Sequence, residues 1–370
     1  MIKVRHIGMR AAGKKLEDDL RNMILRDELP HGFAITTELG LAEQYGIGRN
    51  TVRKVIAVLE EEGLLRSVQG RGTFVVPPEE RPESARVRMK ILLAITDYRH
   101  FSPRSSYERN FISGCYTHSS HSGSELSFAD PEDLSEESLI HDFRAGRVHG
   151  VIWDRPSANS FGLIEKLRDS AVPQVTVSRS FEGIPNISFD AAGSVEDTMD
   201  FLLGIGHRRV AFVDILQPYP IFQNRQTAFL NFLRKTGCPA PEKYLSLLKL
   251  SVSETNYEEG LNSIPPFTAL ITPVFLLDFL HSWAERRGLM IPHDFSLVTI
   301  SPENDTTLEK YPAVSAILEP RRESGVKSME IIESLVSGKP SPSMSLKLRG
   351  TLAMRKSCAS PRSDMKGVSP

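Results

Sequence analysis

The apolar residues Leu16, Leu20, Met23 and Ile24 recur at three- and four-residue steps between Lys14 and Leu29, which predicts an amphipathic helix closed by Pro30, His31 and Gly32. A second, short helix opens after Thr36 or Thr37, either of which can cap it through its hydroxyl, and turns Leu39, Ala42 and Tyr45 inward. Gly46-Ile47-Gly48 makes a turn. A third helix runs from about Arg49 to Glu61, with Val52, Val55, Ile56 and Leu59 on its inner face. The runs Leu64–Val68 and Thr73–Val76 read as two strands joined by Gln69-Gly70-Arg71-Gly72, a hairpin with glycine where positive φ is needed. Residues 77–88 are proline-rich and charged without apolar periodicity, so they read as a semi-rigid tether.

Beyond Arg88 the pattern changes. Short apolar runs (Ile91–Ile95, Leu126–Ala129, Gly150–Trp153, Gln174–Val177, Val210–Val213, Leu245–Leu250, Ala269–Thr272 and Leu297–Ile300) alternate with helical stretches. Such alternation predicts the α/β class, with parallel sheets covered by helices on both faces. The strands, at least about ten at this spacing, are too many for one compact open sheet. Two doubly wound lobes are therefore expected, with a ligand in the crevice at the carboxyl ends of their strands. The Ser/Pro/Lys-rich end, residues 357–370, reads as a flexible tail.

Composition changes little in this picture. The chain has 370 residues, 40% hydrophobic and 25% charged, as an ordinary folded protein does. No window offers the ~18 consecutive apolar residues of a membrane span. Met1 to Lys15 carry charge without an apolar stretch of the signal-peptide kind, so the expectation is a cytoplasmic protein. Cys115, Cys238 and Cys358 form neither a disulfide framework nor a zinc spacing. Charge is more informative. The whole chain carries a net charge of −1, yet residues 1–90 hold 16 Lys and Arg against 13 Asp and Glu.

The placement of those cations points to a nucleic acid. Helix, glycine-containing turn and helix form a helix-turn-helix, and the third helix carries Arg49, Asn50, Arg53 and Lys54 on the N-terminal half of its outer face. Arg can bond guanine and Asn adenine through paired contacts. Glu60, Glu61 and Glu62 are held at the far end. Arg71, between Gly70 and Gly72 at a hairpin tip, can approach a phosphate or a minor groove, which makes a wing.

Thr37-Glu38, Gly48-Arg49-Asn50-Thr51-Val52-Arg53, Glu62-Gly63-Leu64-Leu65 and Gly70-Arg71-Gly72-Thr73-Phe74-Val75 resemble, in that order, the GntR-type winged helix-turn-helix over about residues 10–76. The resemblance implies base and phosphate contacts from Arg49, Asn50, Thr51 and Arg53 and a wing at Gly70 to Gly72; Thr37, Lys54 and Arg71 are counted on the same DNA-facing surface. Leu39 stands where that family usually has Arg or Lys, Gly48 where Ser or Thr is frequent, and Thr37 where Ser is.

A second resemblance covers about residues 89–356. Val148-His149-Gly150-Val151-Ile152, Val172-Pro173-Gln174-Val175-Thr176-Val177-Ser178-Arg179, Gly204-Ile205-Gly206-His207-Arg208-Arg209-Val210 and Ile291-Pro292-His293-Asp294-Phe295-Ser296 resemble the LacI/GalR-type effector domain, which is related to periplasmic sugar-binding proteins. The pair is similar to arabinose-repressor-type hybrid regulators. It implies a winged helix-turn-helix plus a two-lobed, periplasmic-binding-protein-like sensor that also dimerises, with effector positions at Asp97, Tyr98, Arg179, Arg225 and Ser301. For Arg179 a lobe-closing salt bridge is an equal alternative. Tyr98, Phe101, Tyr219 and Phe222 either stack on a sugar ring or pack in the core. Ser178, Ser301, Val274 and Phe275 replace polar residues common in sugar-binding members. That leaves an anionic or less hydroxylated ligand, a rewired sugar site, or a sensor without a ligand.

No Walker-type, Gly-x-Ser-x-Gly or His-Glu-x-x-His motif occurs, and His207 reads as a packing residue before a strand. The expectation is a non-enzymatic transcriptional regulator, in sense a repressor, with no cofactor and no metal. It binds double-stranded operator DNA as a homodimer, answers to a sugar-like effector, and does not engage membranes. A regulator whose C-terminal part only dimerises, and a solute-binding protein, are the alternatives.

Overall fold

A computed structural model describes residues 3–25, 29–77, 80, 89–95, 106–217, 219–249, 254–338 and 344–361. Asp97, Tyr98 and Phe101, and the tether from 81 to 88, lie outside the described residues.

The N-terminal unit has three helices, α1 (Lys3–Leu25), α2 (Glu38–Tyr45) and α3 (Arg49–Glu61), and a hairpin of β1 (Leu65–Val68) and β2 (Gly72–Val75). Helix α1 starts well before Lys14, since no proline interrupts residues 3–13. Thr37 caps α2, its Oγ1 accepting from the Gly40 amide at 3.2 Å. Gly46, with φ 63°, closes α2 in the left-handed region that only glycine enters without cost. Leu16, Leu20 and Ile24 of α1 bury against Val52, Val55, Ile56 and Leu59 of α3. The expected inward turn of Leu39 is not found. Leu41 and Ala42 take the inner positions, and Leu39, in the first turn beside Glu38, is 53% exposed.

The rest of the chain forms two six-stranded sheets. The first lobe is built from β3 (Lys90–Ile95), α4 (Ser106–Ser122), β4 (Glu125–Ala129), α5 (Glu136–Arg144), β5 (Gly150–Asp154), α6 (Phe161–Asp169), β6 (Gln174–Val177) and β7 (Asn186–Phe189). The second follows with α7 (Ala191–Gly204), β8 (Val210–Ile215), α8 (Pro220–Lys235), β9 (Leu245–Leu248), α9 (Glu254–Asn262), β10 (Ala269–Pro273), α10 (Leu277–Arg286), β11 (Ser296–Pro302), α11 (Thr306–Lys310) and β12 (Ser315–Glu319). Helix α12 (Arg321–Val336) then returns to the first lobe, β13 (Ser345–Leu348) joins its sheet, and β14 (Thr351–Ala353) joins the second sheet. The strand orders are β13-β7-β6-β5-β3-β4 and β14-β12-β11-β10-β8-β9. Every pairing is parallel except β14 with β12. Apolar clusters cover both faces of each sheet, the arrangement that near-continuous apolar strands demand.

The chain therefore passes between lobes three times, after β7, after β12 and after β13. Arg349 fastens two of these passages: Nη1 lies 2.6 Å from Asp190, and Nε and Nη2 lie 3.0 and 2.8 Å from Asp197. Asp190 also caps α7 through the Gly193 amide. Helices α4 and α12 cross with their backbones touching. A β-carbon on Gly114 would stand 2.0 Å from the Arg322 carbonyl oxygen, and one on Gly325 2.2 Å from that of Phe111.

The reading of a flexible tail from residue 357 needs correction. Ser357 is 2% exposed and its Oγ accepts from the Ser315 amide at 2.7 Å, while the Leu297 amide donates to its carbonyl at 2.8 Å. Ser357 and Ala359 are thus bound at the N-terminal ends of β11 and β12 rather than free. His207 is fully buried against the same segment, between Thr268 Oγ1, Ser296 Oγ and the Ala359 carbonyl. Burial holds its imidazole below the usual range, as suits a packing residue.

Candidate functional site

Two sites emerge. In the N-terminal unit, α3 leaves Arg49, Asn50, Arg53 and Lys54 exposed together, because its apolar residues at three- and four-residue spacing hold the opposite face against α1. Glu38, at the start of α2, organises two of these cations: its Oε2 lies 2.8 Å from Arg53 Nε and 3.7 Å from Arg49 Nη2. Thr51 is half-buried, its methyl turned toward Gly13 of α1. Gly70 has φ 74° and Gly72 φ 111°, so the turn that lifts the exposed Arg71 requires glycine on both sides. The acids have structural employment. Glu62 pairs with Arg21 of α1 at 2.7 Å, and Glu60 accepts from the Ser67 amide at 2.7 Å, which keeps both away from the cationic face.

The second site lies where the strands of both lobes end. Asp154 closes β5, Asp214 is next to last in β8, and Glu319 closes β12, all fully or almost fully buried. Arg321 Nη2 bonds both oxygens of Asp154 at 2.9 and 2.8 Å. Arg225 Nε bonds Asp214 at 2.9 Å and its Nη2 reaches the other oxygen, with Gln226 Nε2 and the Ile215 amide also donating to that carboxylate. Contacts then cross between lobes at the start of α4. Tyr107 donates to Glu319, Ser106 to Asp305, and Asn110 Nδ2 to the Glu303 carbonyl. Both Arg321 and Arg155 lie over the Tyr107 ring, at 4.6 and 4.9 Å from its centroid, and Arg155 pairs with Glu108.

Backbone strain gathers at the same place. Arg155, Ser178 and Asn304 follow β5, β6 and β11 with φ of 50°, 73° and 52°, a conformation held by surrounding structure and often found at ligand clamps. Ser160 Oγ at the mouth of the first lobe and Thr272 Oγ1 in β10 are buried, and each meets no hydrogen-bonding group among the described residues.

Of the effector positions expected from sequence, Arg225 is brought into this cluster but is occupied by Asp214. Arg179 extends from the first lobe over Phe161 at 4.8 Å and reaches the Tyr219 ring of the second at 5.7 Å. Ser301 is turned aside, its hydroxyl donating to the Pro302 carbonyl at 2.9 Å. Phe222 lies beneath Arg225 at 4.4 Å. Sequence reasoning missed Asp154, Asp214, Glu319 and Arg321. The signal was available: each acid ends, or all but ends, an apolar run, where a doubly wound sheet offers its ligand groups. An open cavity of about 1050 Å³ lies elsewhere between the lobes, lined by Thr117, Arg322 and Lys327 on one side and Asp305, Glu309 and Arg355 on the other. None of Asp154, Asp214, Arg225 or Arg321 lines it.

Burial pushes the Glu319 carboxyl up to about 7, with the Arg321 guanidinium opposing. The folded chain therefore holds this proton more tightly than the unfolded one. The stabilisation is complete below the ordinary value of 4.5 and is lost as pH rises through 7. Urea denaturation should show wild type losing about 3 kcal/mol relative to Glu319→Gln between pH 5 and pH 8. A gap that stays constant over that range would remove this assignment.

Among the described residues, no group of three or more His, Cys, Asp or Glu could hold a metal ion, and no helix is long and apolar enough to cross a membrane. Residues 12–75 match the model of bacterial regulatory proteins of the gntR family, and residues 199–358 that of the periplasmic binding protein-like domain. The arabinose metabolism transcriptional repressor of Geobacillus stearothermophilus is 22% identical over 349 residues, 87% of this chain and 90% of that protein. Catabolite control protein A of Priestia megaterium is 22% identical over 244 residues, 63% of this chain and 71% of that one. The solved complex of transcriptional regulator CelR with cellobiose aligns with a TM-score of 0.61 at 18% identity, covering 88% of this chain and all of that one.

Proposed function

We propose that this chain, a gntR-type winged helix-turn-helix joined to a periplasmic-binding-protein-like sensor, is a transcriptional repressor whose grip on an operator is set by a polar metabolite held between the sensor lobes. The observation that carries the reading is the coexistence of two surfaces in one chain. One is the exposed Arg49, Asn50, Arg53 and Lys54 face with its Arg71 wing; the other is the ring of buried acids and arginines at the strand ends of both lobes. The relatives named as an arabinose repressor and a cellobiose-bound regulator support a sugar or sugar derivative as the metabolite.

The chemistry agrees. Sugar hydroxyls both donate and accept, and are recognised by carboxylates that accept and guanidinium groups that donate, with aromatic rings alongside. Asp154, Asp214, Glu319, Arg225 and Arg321, beside Tyr107 and Phe222, supply that set. The carboxylates absent at Ser178 and Ser301 are thus made up at other strand ends, which favours a rewired sugar site over a sensor without a ligand. Arg179, linking rings of both lobes, is placed to feel closure. The reader acts as a pair in a homodimer on inverted half-sites, in the compartment that holds the DNA. A ligand shifts the DNA-binding equilibrium only by its difference in affinity for the two sensor states.

A thermal-shift series with mono- and disaccharides, sugar acids and sugar phosphates tests the sensor. One class should raise the melting temperature with increasing concentration, as binding to the folded state requires. It should also change operator affinity about 5–150-fold in a gel shift. A melting temperature indifferent to every class would leave the C-terminal part a dimerisation domain.

A further inference from the structure

Leu39 is the residue at which the DNA-facing surface departs most from a plain cationic face. It is 53% exposed in the first turn of α2, next in sequence to Glu38, whose carboxylate holds Arg53 and Arg49. An isolated exposed leucine needs no explanation on an ordinary surface. This one shares its turn with the acid that holds the guanidinium groups which would enter a major groove, and that turn contributes no side-chain cation, because Glu38 is engaged by arginine and Leu39 is apolar.

From that placement, and resting on the DNA-binding reading above, we propose that Leu39 is a specificity determinant that reads a thymine through its 5-methyl group. The major groove presents one apolar feature to a protein, that methyl, and an aliphatic side chain is its complement. The surrounding charge fixes the occupant. Arg49, Arg53 and Lys54 attract a polyanion, so the surface that reaches Leu39 is a duplex rather than an apolar protein face. The geometry also separates roles within the reader. Arg49, Arg53 and Asn50 supply hydrogen bonds to base edges, Arg71 reaches from the wing, and Leu39 adds a contact that carries sequence information without charge. Changing it should therefore leave the salt dependence of binding untouched, unlike loss of a phosphate-bonding lysine or arginine, which lowers the slope by about one.

The test is chemical. The full-length chain is used to select duplexes from a random pool, and each thymine of the selected site is replaced in turn by deoxyuridine, which removes only the methyl. Binding is read by fluorescence anisotropy over a series of salt concentrations, and affinities are compared at equal salt. Wild type should lose about fourfold in affinity at one thymine per half-site, the effect of one buried methyl. Leu39→Ala, which keeps the fold because the side chain is 53% exposed, should bind the thymine and deoxyuridine sites equally at that position, with the salt slope of wild type. An unchanged deoxyuridine penalty in Leu39→Ala, or the absence of any penalty in wild type, overturns the assignment while leaving DNA binding in place. Failure to enrich any duplex overturns the DNA-binding reading itself, and this one with it.

Discussion

Arg53→Ala should weaken binding to the selected operator by about 10–100-fold and relax the preference for one base in each half-site, with little change in stability. The side chain is 58% exposed and its partner Glu38 is 33% exposed, so the pair contributes little to the fold. What it does is hold the guanidinium in place. Glu38 holds Nε at 2.8 Å. Gel shifts with the selected site and with single-base variants check both parts. Equal affinities of wild type and variant for all of them would remove α3 as the reading helix.

The other large effect is expected at Arg225. Its guanidinium and the Asp214 carboxylate are both buried, and removing one partner of such a pair leaves the other charge uncompensated. Arg225→Ala should cost about 3–5 kcal/mol in urea denaturation. Replacing both residues at once by apolar residues of similar size should recover most of it. A loss below about 1 kcal/mol in the single variant would mean that water reaches the pair. The assignment has a practical consequence for effector studies. Loss of response in Arg225→Ala would report a damaged second lobe as readily as a lost ligand contact, so milder changes such as Tyr107→Phe are better probes of the cleft.

The reader was legible almost residue by residue, because its helices obey a 3.6-residue period and its turns announce themselves with glycine. The error at Leu39 came from the same rule. In an eight-residue helix a single turn separates the cap from the core, so Leu39 and Leu41 are equally good inner candidates until Thr37 fixes the start. The sheets were legible as alternation, but β7, β12, β13 and β14 were not among the runs, the last two being short strands supplied late to lobes begun far earlier. The cleft was the least legible. Asp154 meets Arg321 across 167 positions, and pattern reading has no means of pairing groups so far apart. Family resemblance directed attention to Ser178 and Ser301, where carboxylates were missing, and away from Asp154 and Glu319, where they are present.

Arg349 bears on the kind of movement the lobes make. With its nitrogens spread over Asp190 and Asp197, it ties the passage after β13 to the passage after β7 by a half-exposed ion pair, a tie that biases their movement rather than barring it. A joint tied in this way favours swing over stretch. Whatever work a captured molecule does at the strand ends is delivered as torque about that joint, and it is felt most at the parts of each lobe farthest from it.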